Sequence, residues 1–333
     1  MKVLLYFEAE KLIQKSGVGR AFSHQKEALT KVGVDFTTDP KDNYDILHIN
    51  TVGPNSAFMV AEAKKEGKKI IYHAHSTEED FRNSFILSNQ LAPLFKKYLI
   101  KLYSSADLIL TPTPYSRSLI KNYGIEVPIQ DISNGIDLER FSYSEDKVNA
   151  FRRYFGLTKE KKVIISVGLY FERKGIMDFM EVARRLPQYQ FIWFGFTPLY
   201  SIPKNIQEAI KKHPDNVILP GYVKGAVIEG AFMACDCFFF PSNEETEGIV
   251  VLEALAAKSE VLIRDIGVYN PWMIDKENCY KANNVEQFIH MISDIVEGKV
   301  AKVGQFGYKT AQVKSIDNIG KELKSAYLKV LEM

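Results

Sequence analysis

The residues with the most chemical promise lie in one run, Pro241-Ser242-Asn243-Glu244-Glu245-Thr246-Glu247-Gly248-Ile249-Val250-Val251-Leu252-Glu253. It follows an apolar stretch, Cys237 to Phe240, and the order predicts a strand, a Pro/Ser/Asn turn, and a helix whose first turn is open to ligand. Glu245 falls in the turn and Glu253 about two helical turns further on, so one cleft receives both carboxylates, and Gly248 lets a ligand approach the backbone. A fixed carboxylate accepts from a sugar hydroxyl, and the N–H groups at Gly248 and Ile249, where the helix begins, suit an anion. One turn then serves both ends of a nucleotide sugar. The plainer alternative is an acidic turn that answers the helix dipole.

Three further segments fit the same chemistry. Gly168-Leu169-Tyr170-Phe171-Glu172-Arg173-Lys174-Gly175 follows an apolar stretch, and Arg173 and Lys174 are placed to neutralise a departing diphosphate. As a mere solvated pair at a helix start they would oppose the helix dipole. Ser16-Gly17-Val18-Gly19-Arg20 is a glycine turn where backbone amides approach a phosphate, or simply a turn. Tyr72-His73-Ala74-His75 ends a buried strand. His73 and His75 are read as pointing to opposite faces, too far apart to share a metal, with one of them in the cleft. Glu78-Glu79-Asp80-Phe81-Arg82-Asn83 then offers either acceptor contacts or a solvated loop.

These segments need a scaffold that brings strand ends together. Continuous apolar runs alternate with helical ones from Val3 onward: strands at 3–7, 44–50, 69–73, 107–111 and 129–133, with helices at 21–32, 56–66, 91–103 and 115–123 between them. The pattern predicts a parallel sheet covered on both faces. The charged stretch Ser144 to Lys162 breaks the rhythm, and a second series starts at Val163. It runs through strands at 163–168, 190–195, 217–219, 237–240 and 261–263, with helices at 177–186, 206–212, 228–234 and 249–257. The fold class is α/β, two doubly wound Rossmann-like halves with the cleft at the carboxyl ends of their strands. A domain spans 1–143, a second 144–315, and a last segment 316–333.

Glu245 and Glu253, seven residues between them and followed by Ala-Leu-Ala, resemble the signature of the retaining glycosyltransferases of family four, which have the GT-B fold. That resemblance implies that Glu245 approaches the donor sugar, Glu253 holds the nucleotide ribose, Lys174 meets the diphosphate, His75 hydrogen-bonds a sugar hydroxyl, Gly17 lies near the diphosphate, and Gly221-Tyr222-Val223 contacts the base through its backbone. It also implies that the last helix, Ile316 to Leu331, crosses back onto the first domain. Thr246-Glu247 replaces the usual Gly-Phe and leaves an extra carboxylate beside the sugar pocket. Leu169 replaces an Arg common after the first Gly of its motif, so Arg173 substitutes for it or one fixed cation meets the leaving group. The implied mechanism is a front-face return without a protein nucleophile, in which Glu245 and His75 position the sugar.

The chain has 333 residues, net charge +2, 46% apolar and 25% charged residues, which fits a two-domain globular protein and argues against wholesale nucleic-acid binding. Cys235, Cys237 and Cys279 are too few for a disulfide framework and lack the second pair of a zinc site. No metal or other cofactor is expected. No Asp-x-Asp pair occurs, which agrees with leaving-group stabilisation by Lys174, Arg173 and the helix N-terminus. The N-terminus turns acidic too early for a secretory leader, and no apolar run reaches the ~18 residues of a bilayer span. A cytoplasmic protein, peripheral on the inner face of the membrane, is expected.

A membrane contact is read from Phe95, Lys96, Lys97 and Lys101, within a basic amphipathic helix whose apolar positions Leu94, Phe95, Tyr98, Leu99 and Leu102 serve ordinary core packing equally well. His75 to Phe85, Phe151 to Phe155 and Glu244 to Leu255 are similar to the bacterial α-galactosylglucosyldiacylglycerol and diglucosyldiacylglycerol synthases. This similarity implies transfer of an α-hexose, galactose before glucose, from a UDP-hexose to glucosyldiacylglycerol at an anionic membrane surface. The alternative acceptor is a soluble or polyprenyl-linked glycan.

Overall fold

The computed structural model describes residues 1–10 and 16–333. Two six-stranded sheets, all of whose paired strands run parallel, form the two halves. The first is ordered β2-β1-β3-β4-β5-β6 and comprises β1 (Lys2–Tyr6), β2 (Asp35–Thr37), β3 (Ile46–Ile49), β4 (Lys69–His73), β5 (Leu108–Thr111) and β6 (Ile129–Asp131). The second is ordered β12-β11-β10-β7-β8-β9, from β7 (Val163–Val167), β8 (Gln190–Phe194), β9 (Val217–Gly221), β10 (Cys237–Phe240), β11 (Val261–Arg264) and β12 (Tyr280–Ala282). β3, β5 and β10 are buried along their whole length. Helices cover both faces, so these strands are mainly apolar, without a polar-out alternation.

The strand order fixes where a ligand goes. In the first sheet the chain moves from β1 to β2 on one side and then to β3 on the other, and in the second it reverses between β7 and β10. Loops after these strands diverge and leave a crevice. Gly17, Gly168 and the acidic run all follow switch-point strands, and His75 follows β4.

The two crossings of the chain between the halves lie side by side. Ile136, where the chain leaves the first half, bridges Ser315, where it returns, with Ile136 N donating to Lys314 O at 3.0 Å and Ile316 N to Ile136 O at 3.0 Å. The last helix, Ile316–Glu332, then buries Ile316, Ile319, Leu323, Ala326, Tyr327 and Val330 in the core of the first half.

Three expectations need revision. The charged stretch from Ser144 is largely a helix, Glu145–Phe155: the Ser144 side chain accepts from Lys147 N, Gly156 ends it in a left-handed conformation, and Phe151 is its buried anchor. Its charges are those of a surface helix. The edge strand β2 was not anticipated, since three residues carry no periodicity. Beyond β11, β12 and the helices Val285–Val296 and Gly304–Val313 complete the second half.

Candidate active site

The acidic turn is held on every side, and each of its side chains has a different task. Glu245 is buried, and Lys174 Nζ donates to its Oε1 at 2.5 Å while Ser242 Oγ donates at 2.7 Å. Burial pushes the Glu245 carboxyl up, but Lys174, Arg173 and the two hydrogen bonds outweigh it and hold the group below the ordinary carboxylate value. Burial lowers the Lys174 ammonium despite Glu245. Glu244 is half-buried and accepts from Tyr115 Oη of the first half at 2.9 Å; burial, with Asp80 and Glu245 nearby, pushes it up to about 7. Thr246 O accepts from Thr113 Oγ1, also of the first half, at 2.8 Å.

Glu247 corrects the sequence reading. It is not beside the sugar pocket but turned toward the junction of the halves, fully buried. It accepts from Ser133 Oγ at 2.5 Å, Asn134 N at 2.9 Å and Lys314 Nζ at 3.1 Å. On this turn, neighbouring residues face different walls, and Glu247 faces the junction.

Gly175 makes the close approach of the two switch-point loops possible. It has φ of 76°, and a Cβ there would stand 2.3 Å from Pro241 O. Only glycine adopts that conformation and leaves room for the carbonyl.

A cavity of about 390 Å³ opens between the halves, within the range of about 300–1,000 Å³ usual for small-molecule sites. Gly17, His75, Arg173, Lys174, Val223, Glu245, Gly248, Ile249 and Glu253 all line it. Of the residues assigned to the sugar, diphosphate or nucleotide, all but Gly221 thus line one cavity. The helix Ile249–Ala256 begins at this wall. Burial pushes Glu253 up to about 7, and Arg20 Nε from the first half lies 3.6 Å from its Oε1.

Arg173 reaches across the cleft rather than standing ready in it. Its Nη1 pairs with Asp80 at 2.9 Å and donates to Glu244 O at 3.2 Å, and its Nε donates to Ser84 Oγ at 2.8 Å. Asp80, read as one of a loop of acceptor-binding or solvated residues, is a cavity residue whose carboxyl burial raises against the pull of Arg173 and Lys174. Sequence reasoning did not single out Arg20, although it directly follows the glycine turn. It also missed Asn50, whose signal is only its place at the end of β3.

The histidines are also rearranged. His73 and His75 stack with ring centroids 4.2 Å apart and planes at 7°, and His48 stacks on His73 at 5.5 Å. They share a side because residues i and i+2 of an extended chain point the same way. His75 gives its Nε2 to Asn50 Oδ1 at 2.9 Å, and Gln25 Nε2 donates to the same oxygen at 2.8 Å. Burial lowers His75 to about 3 and His73 well below its ordinary value, so both rings are neutral.

The residues read as a membrane contact divide. Phe95 stacks on Phe81 at 4.3 Å, and Lys96 pairs with Glu78 at 3.2 Å and lies 4.5 Å over the Tyr123 ring, so both turn inward, contrary to expectation. Lys97 and Lys101 are exposed. Leu99 and Leu102 are core, whereas Leu91 and Leu94, with Phe85 to Leu87 before them, are exposed. Among the described residues no helix is long and apolar enough to cross a membrane.

Two parallel doubly wound sheets facing a shared cleft, joined by a returning C-terminal helix, define a GT-B glycosyltransferase. Residues 148–312 match the family model for glycosyl transferases group 1, and residues 32–140 that for glycosyltransferase family 4. The chain is 48% identical over its whole length to a processive diacylglycerol alpha-glucosyltransferase of Acholeplasma laidlawii, 99% of which is covered. It is 25% identical to the alpha-galactosylglucosyldiacylglycerol synthase of Streptococcus pneumoniae, over 68% of this chain and 61% of that protein. HepE of Anabaena, solved with UDP and glucose, superposes with a TM-score of 0.80 at 15% identity, covering 99% of this chain and all of that one. The protein belongs to glycosyltransferase family 4.

Proposed function

We propose that the enzyme transfers an α-hexosyl group from a UDP-hexose to a glucosyldiacylglycerol, with retention at the anomeric carbon and without a metal. The observation that carries this reading is the Lys174–Glu245 pair, buried in the shared cavity beside the start of the helix Ile249–Ala256. A donor laid there sets its sugar against Glu245 and its diphosphate against Lys174 and the helix N–H groups. As the C–O bond to the diphosphate lengthens, charge grows on the leaving oxygen, and a cation already fixed in a dry site stabilises it without reorganisation. The acceptor hydroxyl adds to the same face, and its proton passes to the leaving phosphate. The neutral His75 and the carboxylate of Glu245 orient the sugar hydroxyls.

The 48% identical relative is named for glucose transfer to diacylglycerol lipid, and this favours glucose over galactose as the donated sugar, reversing the order taken from the sequence. An anionic membrane surface is the proposed setting, on the cytoplasmic side. Exposed Phe85, Ile86, Leu87, Leu91 and Leu94, which follow the cavity-lining Asp80 in the chain, support it.

The test is incubation with UDP-glucose or UDP-galactose and one of three acceptors: detergent-dispersed monoglucosyldiacylglycerol, a polyprenyl-linked glycan or a free oligosaccharide. An α-linked diglucosyl lipid from the first acceptor is the expected product, and Glu245→Gln should lower turnover by about a hundredfold or more while the fold persists. Product only from a free or polyprenyl-linked glycan would overturn the lipid acceptor.

A further inference from the structure

We propose that Arg20, supplied by the N-terminal half, is a phosphate-binding residue for the donor's diphosphate. The proposal rests on the reading of the cleft as a nucleoside-diphosphate-sugar site. Arg20 lies in the first turn of the helix Gly17–Lys31, where Ser16 caps Gly19 N and no acidic residue occurs. A cation in that position opposes the helix dipole, and such a placement lowers stability unless an anion comes to the same spot. The side chain lines the cavity together with Gly17 and Val18 of the same turn.

Its ion-pair partner among the described residues is Glu253, at 3.6 Å, beyond the ~3.2 Å reach of a hydrogen bond. With Glu253 raised to about 7 by burial, that partner carries only part of a charge near neutrality. The other cations of the cavity are already engaged. Lys174 is bound to Glu245, and Arg173 is shared among Asp80, Ser84 and the carbonyl of Glu244. A diphosphate brings more negative charge than Lys174 alone offsets. The planar guanidinium of Arg20 suits phosphate oxygens, since it donates two parallel hydrogen bonds in a fixed fork. Once ribose hydroxyls occupy Glu253, Arg20 is released to the phosphates.

Calorimetric titration of the full-length protein with UDP and with uridine separates this role from simple orientation of Glu253. Arg20→Met should weaken UDP by about tenfold or more and leave uridine within about twofold, with Arg20→Lys recovering part of the loss. Ligand-free melting temperatures of both variants confirm that they are folded. Equal losses for UDP and uridine, or none for either, would overturn the proposal. Failure of the unsubstituted protein to bind UDP would instead remove the donor-site reading, and this proposal with it.

Discussion

Glu247 of the acidic turn and Lys314 at the return crossing form an ion pair of 3.1 Å, with the carboxylate fully buried. The same carboxylate accepts from Ser133 and Asn134 at the outward crossing. One side chain therefore joins the turn that carries Glu245 to both points where the chain passes between halves. The position of the Glu245 carboxylate is thereby linked to the junction on which the halves are set.

Removing Lys314 should leave Glu247 buried without its counter-charge, a change that costs about 3–5 kcal/mol for a buried pair. Lys314→Met is expected to lower urea-unfolding stability more than Glu247→Gln, which keeps an oxygen for Asn134 N. The double variant should fall well short of the sum. Additive losses would show that the two side chains do not interact.

Gly175→Ala tests the contact between the two switch-point loops. A methyl group 2.3 Å from Pro241 O must displace the turn that carries Glu245, and the left-handed φ adds strain of about 1–3 kcal/mol. Turnover should fall by about tenfold or more with a modest drop in melting temperature. Wild-type steady-state kinetics in this variant would mean the loop absorbs the methyl group freely.

Much of this site was readable because its parts are local. β10, its turn and the helix Ile249–Ala256 are contiguous in sequence, and so are β7 and the Arg173–Lys174 loop, so residue types and punctuation placed them. What escaped depends on partners far along the chain. Nothing near Glu247 points to residues 133, 134 and 314, and nothing near Arg173 points to Asp80 and Ser84. The inward turn of Phe95 and Lys96 escaped in the same way, since an amphipathic stripe does not say which of its edges meets Phe81 and Glu78. The stacking of His73 and His75 was within reach, because the two-residue period of an extended chain requires a shared face.

Glu253, the proposed acceptor for the ribose, should make uridine binding dependent on pH. Its folded-state value is raised from 4.5 to about 7 by burial, so the ligand-free fold holds this proton more tightly than the unfolded chain. The stability this group contributes is full below 4.5 and is lost as pH rises through about 7. The ionised carboxylate accepts from both ribose hydroxyls, and more strongly than the protonated acid does, so uridine affinity should climb as pH rises through about 7 and then level off. Uridine has no phosphate to titrate in this range, and Glu253→Gln should flatten the profile. A flat profile in the unsubstituted protein would mean the ribose is held elsewhere.

The exposed corner formed by Phe85, Ile86, Leu87, Leu91 and Leu94 lies where the halves meet, since Ile86 N donates to Ser201 O of the second half at 3.2 Å. Leu94 is 66% exposed and Lys97 stands in the next turn. Apolar side chains beside a cation favour the headgroup region of an anionic leaflet. Leu94→Glu adds a charge repelled by such lipids and removes apolar area. Co-sedimentation with phosphatidylglycerol vesicles should fall by about fivefold or more, and turnover on vesicle-borne glucolipid should fall with it, by more than turnover on detergent-dispersed acceptor. Lys97→Gln should weaken vesicle binding less, by an amount that vanishes at high salt. Unchanged sedimentation of Leu94→Glu would place the membrane contact on another face of the protein.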